Sequence, residues 1–161
     1  MTASTLAAVP VLETEVRAAL AGVLDPELPV VSVVDLGMVH AVEVGAVDGD
    51  PIRVEILPTF LGCPAQAIIG EAIRDGLAGF GRPVVVTSTL AVPWSTERIT
   101  PAGRAALTAA GIAPAAATED VRCPWCASAR VVMDNAFGPT PCRSLFYCRD
   151  CRQPFEAMKP V

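Results

Sequence analysis

The sequence predicts an α+β protein in which a small sheet covered by helices is followed by a separate cysteine-rich module. Apolar residues recur at helical spacing in several segments of the first two thirds of the chain. Short β-rich or alternating runs lie between those segments. Beyond residue 118, four of the six cysteines occur as two C-x-x-C pairs.

The chain begins with a predicted amphipathic helix and a β-hairpin. The helix is expected over Leu12–Leu24 and ends at Asp25-Pro26, because proline restricts the residue before it and cannot donate within a helix. The hairpin strands are expected at 39–44 and 52–56, around the turn-rich sequence GAVDGD. The strand over 52–56 alternates apolar and charged residues, which indicates one buried face.

A second helix, a third strand and a third helix complete the first domain. The second helix is expected to follow Pro64, which suits a first helical turn. The third strand is expected at 83–88, and the third helix runs from Thr100-Pro101 to Ala110 and stops at Gly111. The elements give a sheet of about three strands with helices packed on it.

A linker is expected after the third helix. The segment GIAPAAATED, residues 111–120, is small, alanine-rich and punctuated by proline, so few of its side chains could anchor a core. We therefore predict two domains, 1–117 and 118–161.

The bulk composition restricts the function classes. A hydrophobic fraction of 52% is enough for a real core, and a net charge of -5 argues against a nucleic-acid-binding protein. The first residues lack a secretory pattern, and no apolar run reaches the roughly 18 residues that a membrane span needs. A cytoplasmic protein is expected, in which cysteines stay reduced and bind metal or do chemistry.

The paired cysteines predict a zinc ribbon. Cys123, Cys126, Cys148 and Cys151 form two C-x-x-C knuckles, and two such turns brought together by a hairpin complete a tetrahedron around one ion. Zinc is the expected ion, although four thiolates also suit iron. Closed coordination leaves no position for a substrate, so the site is expected to be structural.

Cys142 lies between the two knuckles. It could be a spare ligand or a redox thiol, but two complete pairs already satisfy the metal. We therefore predict that Cys142 is a small packed residue.

Cys63 is the one cysteine of the first domain. It precedes the second predicted helix, whose positive end favours a thiolate, in the segment Thr59-Phe60-Leu61-Gly62-Cys63-Pro64. Gly62 would allow a ligand to approach, and the Thr59 hydroxyl could bond to nearby backbone or to the sulfur. Cys63 is thus a candidate functional thiol, although a lone cysteine is often only a small apolar residue.

Acidic residues in the neighbouring loops could share a site with Cys63. Asp25, Glu27 and Asp35 have ordinary explanations as turn and cap residues. The functional alternative is a mixed oxygen and sulfur pocket for iron. His40 is the only histidine in the sequence and is expected to be structural, so a hydrolytic triad is not predicted.

These motifs resemble a known family. The sequence Asp25-Pro26-Glu27-Leu28-Pro29, the run Val34–Val39 and the segment Thr59–Pro64 are similar to the MIP18 (DUF59) family, which is associated with iron–sulfur cluster assembly. The run Val92–Thr100 and the cysteine-rich end, with Phe137-Gly138-x-Thr140-x-Cys142, narrow the resemblance to the small D subunits, also called J, of bacterial phenylacetyl-CoA epoxidase systems.

The resemblance implies an accessory role in phenylacetate catabolism. It suggests a maturation subunit that assists iron or iron–sulfur centre assembly in partner subunits, namely the di-iron catalytic subunit, the iron–sulfur flavin reductase or both. Cys63, Thr59, Gly62, Glu27 and Asp35 would then contact transient iron or a cluster. The chain is expected not to be catalytic itself, and a homodimer stays open.

Two other functions remain open at the level of sequence. One is a purely structural subunit of the oxygenase complex. The other is a thiol enzyme with Cys63 as nucleophile, which would need His40 as its base.

The chain also departs from its relatives at two places. Ala127 stands after the first knuckle where glycine is usual, which puts a residue with a side chain where a positive φ is expected. The relatives tend to have a cysteine near the end, where this sequence reads Lys159-Pro160-Val161. We infer that such a cysteine is not essential to the zinc site.

Overall fold

The computed structural model describes residues 11–159. Residues 1–10, on which the expected lack of a secretory signal mainly depends, and Pro160-Val161 lie outside the described range. Of the helices in that range, none is both long enough and apolar enough to cross a membrane. The helices and strands are α1 (Glu13–Leu20), β1 (Val39–Val44), β2 (Ile52–Ile56), α2 (Gln66–Leu77), β3 (Val84–Ser88), α3 (Pro101–Ala109), β4 (Ile112–Ala113), β5 (Val131–Asn135), β6 (Arg143–Cys148) and β7 (Pro154–Met158).

The first sheet has the strand order β1-β2-β3. Strands β1 and β2 form the predicted antiparallel hairpin, and β3 returns through α2 to pair with β2 in parallel. The apolar residues of β2 are fully buried as the alternation predicts, while Arg53 between them is exposed. Helix α1 contacts β1 and α2, and α2 contacts β3, so the helices cover the sheet and close the main core.

The first helix is shorter than predicted, because it ends at Leu20 rather than at Asp25-Pro26. Beyond Gly22 the chain pairs with another segment: the Val33 N–H donates to the Val23 carbonyl at 2.9 Å. Val23 is therefore buried for a reason other than helical spacing. A glycine with low helix propensity and a tertiary pairing partner together end the helix early.

The second helix also begins later than predicted. Its first residue is Gln66 and its N-cap is Ala65, so Pro64 lies just outside the first turn. Cys63 consequently sits in the turn before the helix, where its N–H donates to the Phe60 carbonyl at 3.1 Å.

The Asp35–Gly37 turn is held by the segment that leads into α3. The Trp94 indole N–H donates to the Leu36 carbonyl at 2.9 Å, and the Thr100 N–H donates to the Asp35 carbonyl at 2.9 Å. Gly37 has a φ of 72°, and a Cβ there would lie 2.4 Å from the Arg98 carbonyl oxygen. The turn therefore needs glycine both for its conformation and for this close approach.

The second sheet has the order β4-β7-β6-β5, and it extends past the predicted linker. Ile112 and Ala113, in the segment expected to be a linker, form β4 and pair in parallel with β7. Both side chains are buried, Ile112 in the main core and Ala113 in a smaller second core. The same holds for β7, where the Met158 side chain enters the main core and the Ala157 side chain enters the second core. The boundary at 117/118 stays a prediction, but the sheet crosses it.

Candidate functional site

Four sulfur atoms converge at one end of the second sheet. The thiols of Cys123, Cys126, Cys148 and Cys151 lie within 4.8 Å of one another, with Cys123 Sγ 3.5 Å from Cys151 Sγ and Cys126 Sγ 3.6 Å from Cys148 Sγ. Sulfurs bound at about 2.3 Å to one tetrahedral ion lie roughly 3.8 Å apart. The quartet therefore fits zinc, with four protein ligands and no open position.

The two knuckles have matching backbone geometry. The Ala127 N–H donates to the Cys123 carbonyl at 2.8 Å, and the Arg152 N–H donates to the Cys148 carbonyl at 3.0 Å. Ala127 and Arg152 each follow the second cysteine of a knuckle, and each has a φ of 59°. The positive φ expected after the first knuckle is thus present, although alanine occupies it.

The four thiols of the quartet do not ionise equally. Backbone N–H groups of Cys151 and Asp150 donate to the Cys148 sulfur and lower its pKa to about 6, whereas burial raises the pKa of Cys151 to about 12. A thiol that ionises easily is a better ligand, because the thiolate is the form that binds metal. The backbone N–H groups therefore favour the metal-binding thiolate form of Cys148 before an ion is bound.

The core beneath the knuckles is small. It consists of a few buried side chains, among them two ligand cysteines and the stacked rings of Phe146 and Phe155, whose centroids are 5.7 Å apart. So little apolar surface gives only modest stability to a separate sheet. The metal ion is therefore expected to supply much of the folding free energy of this module.

Cys63 lies on the first domain, half-buried, and packs against the main core. Burial raises the pKa of its thiol above the ordinary 9.0, and the Ala65 N–H opposes this only in part. The negative charges of Glu27, Cys142 and Asp25 raise it further. The expectation that the helix N-terminus favours a thiolate is wrong here, since desolvation and like charges outweigh the donated N–H.

The other predicted site residues are placed differently. The charge of Glu27 adds to the effect of burial in raising the pKa of the Cys63 thiol. Thr59 is buried, and a Cβ on Gly62 would meet only the Phe60 ring, at 3.6 Å, so space is open beside that glycine. Asp35 instead accepts hydrogen bonds from the hydroxyls of Ser32 and Thr100, at 2.9 and 2.6 Å. Its carboxylate thus holds the hydroxyl of Thr100, the residue at the N-terminus of α3, which is the cap role that the sequence also allowed.

The structure brings forward Cys142 and Arg143, which the sequence did not single out as site residues. Cys142 is buried, as predicted, and it lies outside the zinc quartet. Its charge is among those that act on Cys63, although the two residues lie far apart in the sequence. Arg143 is buried beside them, paired with Glu156, and its charge also lowers the pKa of Asp25, which burial raises overall.

His40 does not complete a catalytic set. Its Nε2 lies 4.0 Å from Glu55 Oε2 across the β1–β2 hairpin. The charged groups that act on Cys63 are acidic residues and another thiol. A nucleophilic cysteine needs a base or a lowered pKa, and neither feature is seen at Cys63.

Family models match both halves of the chain. Residues 13–87 match the model described as iron-sulfur cluster assembly protein, and residues 107–159 match the PaaD zinc beta ribbon domain. The chain is 37% identical over 155 residues to the D subunit of the "Putative 1,2-phenylacetyl-CoA epoxidase" of Escherichia coli (strain K12). That alignment covers 91% of this chain and 92% of the relative.

Solved structures resemble the first domain. A domain of unknown function, DUF59, from Bacillus anthracis is 30% identical with a TM-score of 0.53, covering 59% of this chain and 90% of that one. A conserved hypothetical protein from Thermotoga maritima is 28% identical with a TM-score of 0.50, covering 60% and 93%. The predicted fold class, a MIP18-like α/β domain followed by a zinc ribbon, is confirmed.

Proposed function

This chain belongs to the family of the phenylacetyl-CoA epoxidase D subunits, and from that premise we propose that it is an accessory protein that assists iron or iron–sulfur centre assembly in partner subunits of such an epoxidase. The observation that carries the proposal is the position of Cys63. A half-buried thiol, on which the charge of Glu27 acts, lies in a domain that matches an iron–sulfur assembly family. Sulfur and carboxylate ligands together suit iron.

The two thiol regions have separate tasks in this proposal. The zinc quartet is closed, so it stabilises the module and carries no cargo. Cys63 is partly exposed, and its raised pKa keeps it protonated near neutral pH. A metal ion must displace that proton to bind, so Cys63 holds iron less tightly than a preformed thiolate would. Loose binding suits delivery to a partner.

A cellular test separates delivery from ordinary stability. Cys63→Ser is introduced into the full chain, which is co-expressed with the catalytic and reductase subunits, and the iron content of both partners is measured. We expect iron loading of one partner to fall several-fold while the variant keeps its zinc. Leu61→Ala is the matched control, because Leu61 is 75% exposed in the same loop and offers no ligand. Normal loading of both partners with Cys63→Ser would contradict the proposal.

A purely structural subunit is the second candidate. Phe60 and Phe137 are exposed apolar side chains, and the Lys159 ammonium lies 5.8 Å from the ring centroid of Phe60 and 4.5 Å from that of Phe137. Such side chains often contact a protein partner. In that case the chain co-purifies in fixed ratio with the oxygenase, Phe137→Ser weakens the complex, and Cys63→Ser changes neither its composition nor its iron content.

A further inference from the structure

We infer that an apolar cavity on the second sheet, together with the Lys159 ammonium, is a docking site for a partner protein that presents one apolar side chain next to a carboxylate. The inference goes beyond the proposed function, because the maturation role and the purely structural role both require a partner, and neither fixes what that partner must present. It depends on the shape and charge of the ribbon and not on the chemistry of Cys63.

The cavity, called the ribbon cavity below, has a volume of about 210 Å³ and an apolar floor. Val121, Phe146 and Met158 form that floor, and all three are buried. Ser144 also lines the cavity, but no buried side-chain polar atom of the described residues lacks a hydrogen-bond partner. A dry apolar cavity of ~150 Å³ can hold a benzene ring. The ribbon cavity therefore has room for one side chain of the size of leucine or phenylalanine.

The rim of the ribbon cavity is open to solvent. Met133 on β5 and Ala136 just after it line the cavity, and both are exposed. A side chain that enters from a partner would lose its water against the buried floor, while the rim supplies the surrounding contacts. An apolar anchor in a pocket, ringed by contacts that exclude water, is the arrangement typical of a binding hot spot.

Lys159 lines the same cavity and carries its charge. Its backbone N–H, directly after β7, donates to the Cys142 carbonyl at 2.9 Å. Its ammonium lies 4.5 Å from the ring centroid of Phe137 and 5.8 Å from that of Phe60, which is within the range of cation–π contacts. Both ends of the residue are thus held before a partner arrives, and this lowers the entropy cost of binding.

The ammonium has no carboxylate partner among the described residues. The ion pairs found over residues 11–159 do not include Lys159. By contrast, Arg143 at the start of β6 is paired with Glu156 on β7. Because opposite charges across an interface fix its register and speed encounter, the segment that fits this site carries an aspartate or a glutamate beside its apolar anchor.

The docking site lies next to the turn that carries Cys63. The Phe60 ring contacts the Lys159 ammonium, and the Phe60 carbonyl accepts the Cys63 N–H at 3.1 Å. A partner seated in the ribbon cavity would therefore contact the turn that holds the candidate cargo thiol. Only this link to iron transfer rests on the proposed function, and the docking itself does not.

The test measures binding of the full, zinc-loaded chain to the purified catalytic subunit and to the purified reductase of the epoxidase. Ala136→Trp places a large ring on the rim to fill the cavity, and Lys159→Glu reverses the charge. We expect each to weaken binding to one subunit at least about tenfold. Lys159→Arg keeps the charge and can stack on both rings, so it should cost less than about threefold. Ala102→Trp and Arg74→Glu, at exposed positions of α3 and α2, are the matched controls and should bind as the wild type does.

A second measurement uses the unmutated protein and guards against variants that fail to fold. Lys159 is the only lysine of the sequence, so an amine-selective reagent labels this side chain and the N-terminal amine, which serves as the internal reference. We expect the bound subunit to slow labelling of Lys159 several-fold. Carbodiimide coupling of the complex should join Lys159 to an aspartate or glutamate of the subunit, as read by peptide mass spectrometry.

Four results would overturn the inference. They are no binding to either subunit, binding that Ala136→Trp and Lys159→Glu leave unchanged, labelling of Lys159 that the bound subunit does not slow, and coupling of Lys159 to the Val161 carboxylate of its own chain. Self-association that Ala136→Trp abolishes would make a second copy the occupant and would also contradict it. Iron loading lost with Cys63→Ser but normal with both cavity variants would leave the proposed function standing without this site. Weakened docking of the cavity variants with normal loading in Cys63→Ser would contradict the function alone.

Discussion

The zinc quartet and the Cys63 thiol use the same side chain in opposite ways. The quartet is built by two local turns, each with its own backbone hydrogen bonds and its residue of positive φ. Cys63 lies outside the quartet, in the turn before α2, where it packs half-buried against the main core. Local turns give a closed site with four convergent sulfurs, and the turn before α2 leaves one thiol partly exposed. In the proposed function, this difference separates thiols that hold a metal for structure from a thiol that handles a metal as cargo.

Removing one ligand of the quartet should have the largest effect. We expect Cys148→Ser to lose zinc and to unfold the second sheet, because zinc binding contributes on the order of 10 kcal/mol to such modules. Elemental analysis and hydrogen exchange measure the two losses. Cys142→Ser is the control, since that thiol lies outside the quartet and should leave one zinc per chain. A Cys148→Ser protein with full zinc and protected ribbon amides would show that the quartet does not hold the module together.

Truncating the residue that joins the two regions should come next. Met158→Ala is expected to lower the free energy of unfolding by about 2–5 kcal/mol, because it leaves a cavity in the main core. Backbone amides of both sheets should lose protection from hydrogen exchange together, since β7 is a strand of the second sheet and its Met158 side chain fills the main core of the first domain. Urea unfolding with hydrogen exchange measures this. Met133→Ala on β5, where the side chain is 40% exposed, should change stability far less, and an equal loss in the two variants would refute the interlocked core.

The alkylation rate of Cys63 should expose the electrostatic difference between the regions. Only the thiolate reacts, and the pKa of Cys63 is raised above 9.0, so the rate should climb about tenfold per pH unit between pH 7 and 9. Iodoacetamide labelling followed by peptide mass spectrometry measures it in zinc-loaded protein. Glu27→Gln removes a charge that raises this pKa and should speed labelling at pH 8. A rate that levels off below pH 9 would mean that Cys63 is an activated thiol after all.

The smallest expected effect concerns the strained residue of a knuckle. Ala127→Gly should stabilise the zinc-bound protein by up to about 1 kcal/mol, because a left-handed conformation costs alanine roughly 1–2 kcal/mol and glycine loses part of that gain in backbone entropy. Thermal unfolding of the zinc-loaded protein checks it. Ala129→Gly, outside the positive-φ positions of the described chain, should bring no gain. If both variants behave alike, the conformation at 127 is not a source of strain.

What the sequence could predict follows from how local each feature is. The hairpin, the third strand and the four zinc ligands depend on residues close in sequence, so period and spacing were enough. The end of α1 was wrong because Val23 is buried by pairing with Val33, a contact that mimics helical spacing. Asp35 looked like a candidate ligand because the cap that it makes depends on Thr100, distant in sequence.

The packing of the second sheet on the first domain was beyond reach for a related reason. It depends on Ile112 and Met158, strand residues of the second sheet whose side chains enter the main core, while their neighbours Ala113 and Ala157 lie in the second core. The segment around Ile112 looked like a linker because its small residues give no period of either kind. Only the pairing of β4 with β7 makes it structural.

The place of Met158 in the main core has a consequence for biosynthesis. A chain emerges from the ribosome in sequence order, and all four zinc ligands emerge before Met158. The hydrophobic core of the first domain therefore stays incomplete while the ribbon is being made, and it closes only when β7 docks. The earlier half of the protein is therefore completed by the last strand to be synthesised, so its full stability depends on the folding of the later half.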